Sequence, residues 1–478
     1  MEHIVQQKTN DFVNRFKSHF EKRGLYELGD MAKDVKAMTD ELGNELMVMV
    51  IEDTDKALVE EKAARRVDGI AVHEREVPRT LHTALGDLTY RRTYFSTPEG
   101  MSYLLDELMG VLPYERVDSH VCANLVNASG LMSFGRSADI VADGKISRQT
   151  IWRKAMESGE AAVLPLRVKD TPKRIHIFAD EDHVHLQDGK SDILPLITIC
   201  SGKEQISKDR YELTDRIHVN GYGLYAKKHW EYAYAVCDAM FDMKKVKEVF
   251  IYGDDAPWIA KSDECFPSAI HILDAQHYRQ YMTGILAGEI CSQFALKLYG
   301  AVKHDKRDVF SMYICEIIDE LMLQMPEGKQ RNAKLKAVQR NAGYILNNWD
   351  SVQNMKRTGS IGSCTEAMVS HVFSERFSRN PMGWSKAGLS KMSMLRVFIK
   401  NGGRLTPMDI GVDKLSDNEK RVVMSRVEKY ESLIKAQQAK IFEGFLNWGW
   451  FDHERVTDIA PSGTKVLLDA LGRRRNNL

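Results

Sequence analysis

Between residues 174 and 274 the chain leaves helical spacing for a succession of short apolar runs, and nothing else in the sequence restricts its fold so tightly. "RIHIFAD" (174–180), "DHVHLQ" (182–187), "ILPLITICSG" (193–202) and "RIHVNGYG" (216–223) are rich in Ile, Val and Leu and are broken by turn residues. That is the pattern of successive strands. An amphipathic helix is expected at "AKKHWEYAYAVCDAMF" (226–241), followed by a strand at "KEVFIYGDD" (247–255). A short helix at "APWIAKSD" and a strand at "SAIHILD" (268–274) complete the region. Strands interleaved with helices in this way imply an α/β fold, a mixed sheet with helices on its faces.

The flanks read differently. Residues 1 to about 75 carry apolar positions at helical spacing, as in "ELGNELMVMVIEDTDKALVEEKAARR". Strand character enters at "LGDLTYRRTYFSTPEG", where Arg91 and Arg92 among aromatics could meet phosphates or form a solvated face. "SFGRSADIVADGKISRQTIWRKAMESG" (133–159) suggests two short helices around a "DGK" turn, with Ser137 and Ser147 as N-caps. A helix-turn-helix of this kind would offer Arg136, Arg148, Gln149 and Arg153 to DNA while Ile151 and Trp152 pack inward. Helical pattern returns after Asp274 and runs to about residue 350. A Gly/Ser break, "RTGSIGSCTEA" (357–367), then precedes one more helix.

These changes divide the chain into a helical and strand-rich N-terminal region (1–110) and a helix-turn-helix region (111–170). A strand-rich region (171–279) follows, then a helical stretch (280–356), the segment from the Gly/Ser break onward (357–400) and a helical C-terminal region with the basic tail "GRRRNNL" (401–478). Lys and Arg (67) balance Asp and Glu (67), so net charge supplies no general pull toward nucleic acid, and any such partner must be argued from local patches. No apolar run is long enough to span a membrane, and the first residues lack the basic start and apolar stretch of a secretion signal. The seven cysteines are scattered without a CxxC pair, which points to reduced thiols and a cytoplasmic protein.

Three acids share one architectural position. Asp180 is expected to end the first strand and Asp254 a later one, while Glu366 opens the helix after the Gly/Ser break. Carboxylates at the ends of neighbouring strands converge on one sheet edge, where open α/β sheets bind ligands. Such a set can hold two Mg²⁺ or Mn²⁺ ions about 3.5–4 Å apart for phosphodiester chemistry. His183 and His185, with His271 and His277 elsewhere, raise a zinc-hydrolase alternative, but no HExxH pattern accompanies them.

"ADEDHVHLQ", "YGDDAPWI", "ILDAQHYRQYM" and "SCTEAMVSHVFSERFSRNPMGWS", in this order, resemble the bacterial insertion-sequence transposases of the ISLre family. The resemblance covers most of the chain and implies a Mutator-like DDE enzyme with an RNase H-like core, interrupted by an all-helical insertion. It implies Asp180, Asp254 and Glu366 as the catalytic, metal-holding triad, with Asp274 and His277 of "LDAQH" as a supporting element. Asp255 stands where family members often carry Gly, and the first motif is unusually acidic. Asp182 and Asp255 are therefore the alternative ligands beside the preferred pair.

Trp384 in "NPMGWS" lies between Arg379 and Lys386, where an aromatic can stack on an unpaired base or pack against the core. The expected activity is metal-dependent DNA cleavage followed by strand transfer at the ends of an insertion sequence, with terminal inverted repeats and target DNA as partners. A homodimer or higher oligomer on DNA is expected, and no covalent protein–DNA intermediate. The alternatives are an RNase H-like nuclease and a non-catalytic DNA-binding regulator derived from a transposase.

Overall fold

The computed structural model describes residues 2–158, 167–168, 170–208, 210–254, 256–379, 382–410 and 421–430. Two compact units form, one from residues 1–122 with 412–478 and one from residues 123–411.

In the first unit, helices α1 (Glu2–Arg23), α2 (Leu28–Glu60) and α3 (Lys62–Val67) precede an antiparallel sheet of β1 (Ala71–Thr83), β2 (Gly86–Thr97) and β3 (Gly100–Ser102). Helix α4 (Leu104–Leu108) follows, and α5 (Ser119–Leu131) leads into the second unit. Leu58, Ile70, Leu81, Tyr90, Phe95 and Leu105 form the core of this unit. The helical reading of residues 1 to about 75 therefore stops early, because β1 begins at Ala71. Arg92 is no phosphate ligand: it is buried, pairs with Asp106 and lies 3.4 Å from the Tyr103 ring centroid. Arg91 stays exposed.

The second unit opens with α6 (Phe134–Ala142) and α7 (Arg148–Glu157). The strands that follow are β4 (Arg174–His185), β5 (Ser191–Cys200), β6 (Gly202–Ser207), β7 (Arg210–Thr214) and β8 (Ile217–Asn220). Helix α8 (Ala226–Met240), strand β9 (Glu248–Gly253), a 3-10 turn (Ala260–Glu264) and strand β10 (Ile270–Leu273) complete the sheet region. Its five strands lie in the order β10-β9-β4-β5-β8. Taking β4, β5, β8, β9 and β10 in turn, β9 and β10 run parallel to β4, and β5 runs antiparallel to both its neighbours. The hairpin β6–β7 stands apart as a two-stranded sheet.

Both faces of the sheet are covered, which explains why β5 runs without polar alternation from Leu196 to Cys200. On one face Ile175, Ile177 and Ala179 pack with Ile197, Ile199, Trp230 and Val236 of β5 and α8. On the other, Phe178, Phe250 and Tyr252 pack with Ile361 and Cys364. Each fully buried Ile or Phe of this kind contributes roughly 1.5–3 kcal/mol through its removal from water.

A helical block follows: α9 (Ala275–Leu286), α10 (Glu289–Ser292), α11 (Ala295–Lys303), α12 (Arg307–Gln324), α13 (Lys329–Asn347) and α14 (Trp349–Asn354). Its own core includes Met282, Leu298, Phe310, Ile317, Val338 and Trp349. The chain returns to the sheet through α15 (Thr365–Val369), a π-helical turn (Ser370–Ser374), α16 (Glu375–Phe377) and α17 (Lys386–Lys400). Among the described residues no helix is long and apolar enough to cross a membrane.

One expectation about the sheet is corrected. "RIHIFAD" and "DHVHLQ" are a single strand, β4, whose pairing with β5 continues through Asp180↔Leu196 to His185↔Ser191. Asp180 therefore lies within a strand. What stops near it is the parallel ladder, whose last pair is Phe178↔Tyr252.

Candidate active site

The end of that parallel ladder places two acids side by side. Asp180 lies two residues beyond Phe178 on β4, and Asp254 two beyond Tyr252, directly after β9. The strands approach so closely here that a Cβ at Gly253 would lie 2.9 Å from the Ala179 carbonyl oxygen and 2.9 Å from Ile259 Cδ1. Only glycine fits there without a shift of the backbone or of Ile259. Strand alternation sends Asp180 and Asp182 to the same face as Phe178, the face covered by the segment from Ile361 onward. Glu366 opens α15 on that face and is exposed.

Asp180 feels both other acids. Burial pushes its carboxyl up to about 7, Asp254 and Glu366 push the same way, and the Glu181 N–H at 2.8 Å and His277 pull against them. Asp254 Oδ1 accepts from the Ala256 N–H at 3.0 Å. His277 is raised chiefly by Asp274, with Asp254 and Asp180 adding to the effect, so its imidazolium form is favoured. Its Nδ1 lies 3.3 Å from Asp274 Oδ1, near enough for a charge pair but out of line for a hydrogen bond.

Asp274 has no spare oxygen. Its Oδ1 caps α9, accepting from Gln276 N at 2.8 Å and His277 N at 3.1 Å. Its Oδ2 accepts from the hydroxyls of Ser363 and Thr365. Burial opposes its ionisation, but the bonds from His277, Ser363 and Thr365 outweigh burial and hold the carboxyl well below the usual range. Asp274 is thus a fastener between α9 and the start of α15. Ser363 and Thr365 escaped the sequence reading, although their placement around Cys364 in "SCTE" was a signal of hydroxyls facing one acceptor.

Of the two alternative ligands, only Asp182 lies among the described residues, and it has a partner of its own. Asp182 is buried and accepts from Ser378 Oγ at 3.0 Å, at the far end of the helical segment that Glu366 opens. Burial raises its carboxyl as well. Glu181 faces the other way and accepts from Trp258 Nε1. Asp255 lies outside the described residues. His183 and His185 are exposed on the opposite face of β4, and His271 pairs with Asp263 at 2.8 Å, so they form no zinc set. Among the described residues no three His, Cys, Asp or Glu side chains stand close enough to hold a metal ion unaided.

The helix-turn-helix segment is formed by α6 and α7, with Asp143 (φ +48°) and Gly144 (φ +72°) turning the chain between them. Its first cap is Ser133, which accepts from Arg136 N at 3.2 Å. Ser137 instead lies inside α6, fully buried, and donates to the Leu125 carbonyl. Ser147 caps α7 as expected. Arg136, Arg148, Gln149 and Arg153 are exposed, and Ile151 is buried. Trp152 is a partial correction: it is 38% exposed, although its Nε1 would lie 4.0 Å from a Cβ at Gly388 of α17. One helical step from Ile151 turns a side chain by about 100°, enough to leave the core.

Trp384, by contrast, is buried and cannot stack on a base. Its backbone bonds with His185 O and Gln187 N, its ring meets Phe377 edge-on at 5.1 Å, and the Arg376 guanidinium lies 4.8 Å from its centroid. Arg379 is exposed and donates to Ser370.

Two buried arginines tie these parts together. Arg396 on α17 donates to Val372 O (2.6 Å), His371 O (2.9 Å), Gly130 O (3.1 Å) and Leu131 O (3.1 Å), and Arg376 donates to Ser129 O. The last carbonyls of α5 are therefore satisfied by side chains from the segment that carries Glu366, as a buried helix end requires.

Comparison of the sequence with known proteins identifies its family. A sequence model described as "Uncharacterised protein family (UPF0236)" matches residues 22–413. A UPF0236 protein of Caldanaerobacter subterraneus subsp. tengcongensis, whose name joins eleven locus designations, is 32% identical over 86% of this chain and 87% of its own length. A second from the same organism is 31% identical over 80% of this chain and 81% of its own. The chain belongs to the UPF0236 family.

Proposed function

We propose that the chain is a DDE-type transposase of the ISLre kind, with Asp180, Asp254 and Glu366 as its acidic centre. The observation that carries this is the placement of Asp180 and Asp254 two residues beyond the last pair of the β4–β9 ladder, with Glu366 and His277 near enough to act on the Asp180 carboxyl. The sheet order β10-β9-β4-β5-β8 with an antiparallel β5, and a helical block between β10 and the Glu366 helix, supports an RNase H-like reading of the core. The relative whose name joins eleven loci of one organism supports it too, since a gene carried by a mobile element multiplies within a genome.

The donor set fits hard divalent cations. Three carboxylates whose charges oppose one another, one of them raised to about 7, are stabilised in their ionised form by Mg²⁺ or Mn²⁺. Because they do not form a complete cage, water and phosphate oxygens would fill the remaining positions, as Mg²⁺ prefers. When bound, such a pair of ions supplies an activated water or 3′-hydroxyl and stabilises the leaving oxygen. The chain's own contribution is placement. Gly253 lets the two strands meet, Asp274 holds the start of α15 through Ser363 and Thr365, and Asp274, Asp254 and Asp180 raise the His277 imidazole above its ordinary value. Exposed Arg136, Arg148, Gln149, Arg153 and Trp152 on α6 and α7 would read the element's ends.

The test uses the full chain and labelled duplex DNA from the flanks of its gene, with Mg²⁺ or with EDTA. Mg²⁺-dependent nicking to a 3′-hydroxyl, followed by joining to a second duplex, is expected. Cutting without joining would replace the transposase by a nuclease, and binding without any cutting would leave a DNA-binding regulator.

A further inference from the structure

The hairpin β6–β7 has no part in the acidic centre, yet it walls a cleft of about 580 Å³ that lies against the Glu366 helix. The opposite wall is the Gly/Ser break and the outer side of α15 and the π-turn, with Ser363 and His371 in the lining. Ser363 also bonds Asp274, so the cleft begins one hydrogen bond from the residue that fastens the acidic centre. Three cations, Lys203, Arg210 and Arg216, line it against a single acid, Glu212. Arg210 and Arg216 are exposed and have no ion-pair partner among the described residues. Lys203 has a structural task, donating to the Ile361 carbonyl at 2.6 Å, while its Nζ sits 4.9 Å from the Tyr211 ring centroid. Tyr211 itself is 55% exposed.

A concave, cationic wall next to an acidic centre is an electrostatic contrast with a direct chemical use. Phosphodiester oxygens are repelled by carboxylates lacking their ions and attracted to guanidinium groups, which can bind phosphate in a bidentate fork. An exposed tyrosine among such cations is the usual platform for an unpaired base, whereas duplex DNA keeps its bases stacked inside. We propose that the cleft between β6–β7 and α15 seats a single-stranded DNA segment running away from the acidic centre, with Arg210 and Arg216 on successive phosphates and Tyr211 stacked on a base. This rests on the transposase reading for the identity of the strand but not for the binding itself.

The experiment measures binding of a short fluorescein-labelled oligothymidine to the full chain by anisotropy, in EDTA so that no cleavage intervenes, across a series of salt concentrations. The variant Arg210→Gln/Arg216→Gln should bind weakly and flatten the slope of log K against log salt by about 1.4, at roughly 0.7 for each single-strand phosphate that is no longer neutralised. Tyr211→Ala should weaken binding at least about fivefold and leave the slope unchanged, as removal of a stacking platform requires. Lys329→Gln, an exposed charge elsewhere in the same unit, is the control and should change nothing. Matching thermal melts establish that the variants fold. Unchanged affinity and slope in the double arginine variant would overturn the proposal. So would a loss that is equal for duplex of the same sequence, which would make the cleft a general anion surface. Retained single-strand binding with no Mg²⁺-dependent cutting would instead sink the transposase reading and leave the cleft standing.

Discussion

Thr365 donates its hydroxyl to the carboxylate of Asp274, so the residue just before Glu366 is bonded to the residue that caps α9. An acid in an exposed first turn would otherwise be free to drift from Asp180. The bond, with its twin from Ser363, fixes the turn without using any oxygen of the acidic centre. Asp274→Ala should therefore lower stability by about 1–2 kcal/mol, the usual cost of an N-cap, and reduce Mg²⁺-dependent cleavage more than melting alone explains. Because the Asp274 carboxyl is held below its ordinary value, its contribution is present above about pH 4 and is lost on acidification. The variant's melting temperature should converge on the parent's as pH falls through that range.

Asp180→Asn separates activity from stability. Burial and two neighbouring acids oppose ionisation of Asp180, so a neutral amide of the same shape should fold at least as stably as the parent. Cleavage should fall by about a thousandfold, the scale of losing a group that stabilises transition-state charge. A marked drop in melting temperature with cleavage retained would contradict the assignment of Asp180.

Gly253→Ala tests the approach of the strands. The added methyl meets the Ala179 carbonyl and Ile259, and relief must come from backbone or core movement costing roughly 1–3 kcal/mol. Lower melting temperature and weaker cleavage are expected together, since the same shift parts Asp180 from Asp254.

The two tryptophans should behave differently. Trp384→Ala removes a buried ring packed on Phe377 and Arg376 and should cost about 3–5 kcal/mol. Trp152→Ala, which removes a ring only partly buried, should cost less, about 1 kcal/mol, while weakening binding to terminal DNA, measured by mobility shift.

Acid should destabilise the second unit through its buried histidines. His176, His218 and His229 are pushed by burial to about 4, 3 and 4. Each stays neutral in the fold where the unfolded chain would already be protonated, so stability is full above about pH 6.5 and declines below it. His218→Gln, which can still meet Thr198, should flatten the loss of melting temperature between about pH 6.5 and 4.

Much of this fold is written in local pattern, and the exceptions share a cause. The runs that became β5, β8, β9 and β10, and the helix α8, carry unmixed apolar or amphipathic periodicity. Asp180 looked like a strand end because a polar residue after an apolar run usually is one. Only the β5 partner, invisible to local reading, carries the strand past it. The hairpin β6–β7 and the start of β1 were missed because "KEQISKDRYELT" and "VHEREV" expose most of their side chains and bury no alternating face. The candidate acids stand out in the sequence by type and order. The fasteners Ser363 and Thr365, and the arginines on the α5 carbonyls, were not, since their partners lie between 89 and 266 residues away in the chain.

Arg396 gives this architecture a mechanical reading. A guanidinium that grips the end of α5 and the turn after Glu366 in one set of bonds is a rivet through two levers. One lever runs on into α6 and α7, and the other bears the acid. If the proposed function holds, a pull on α6 and α7 by bound DNA would arrive at Glu366 as a displacement.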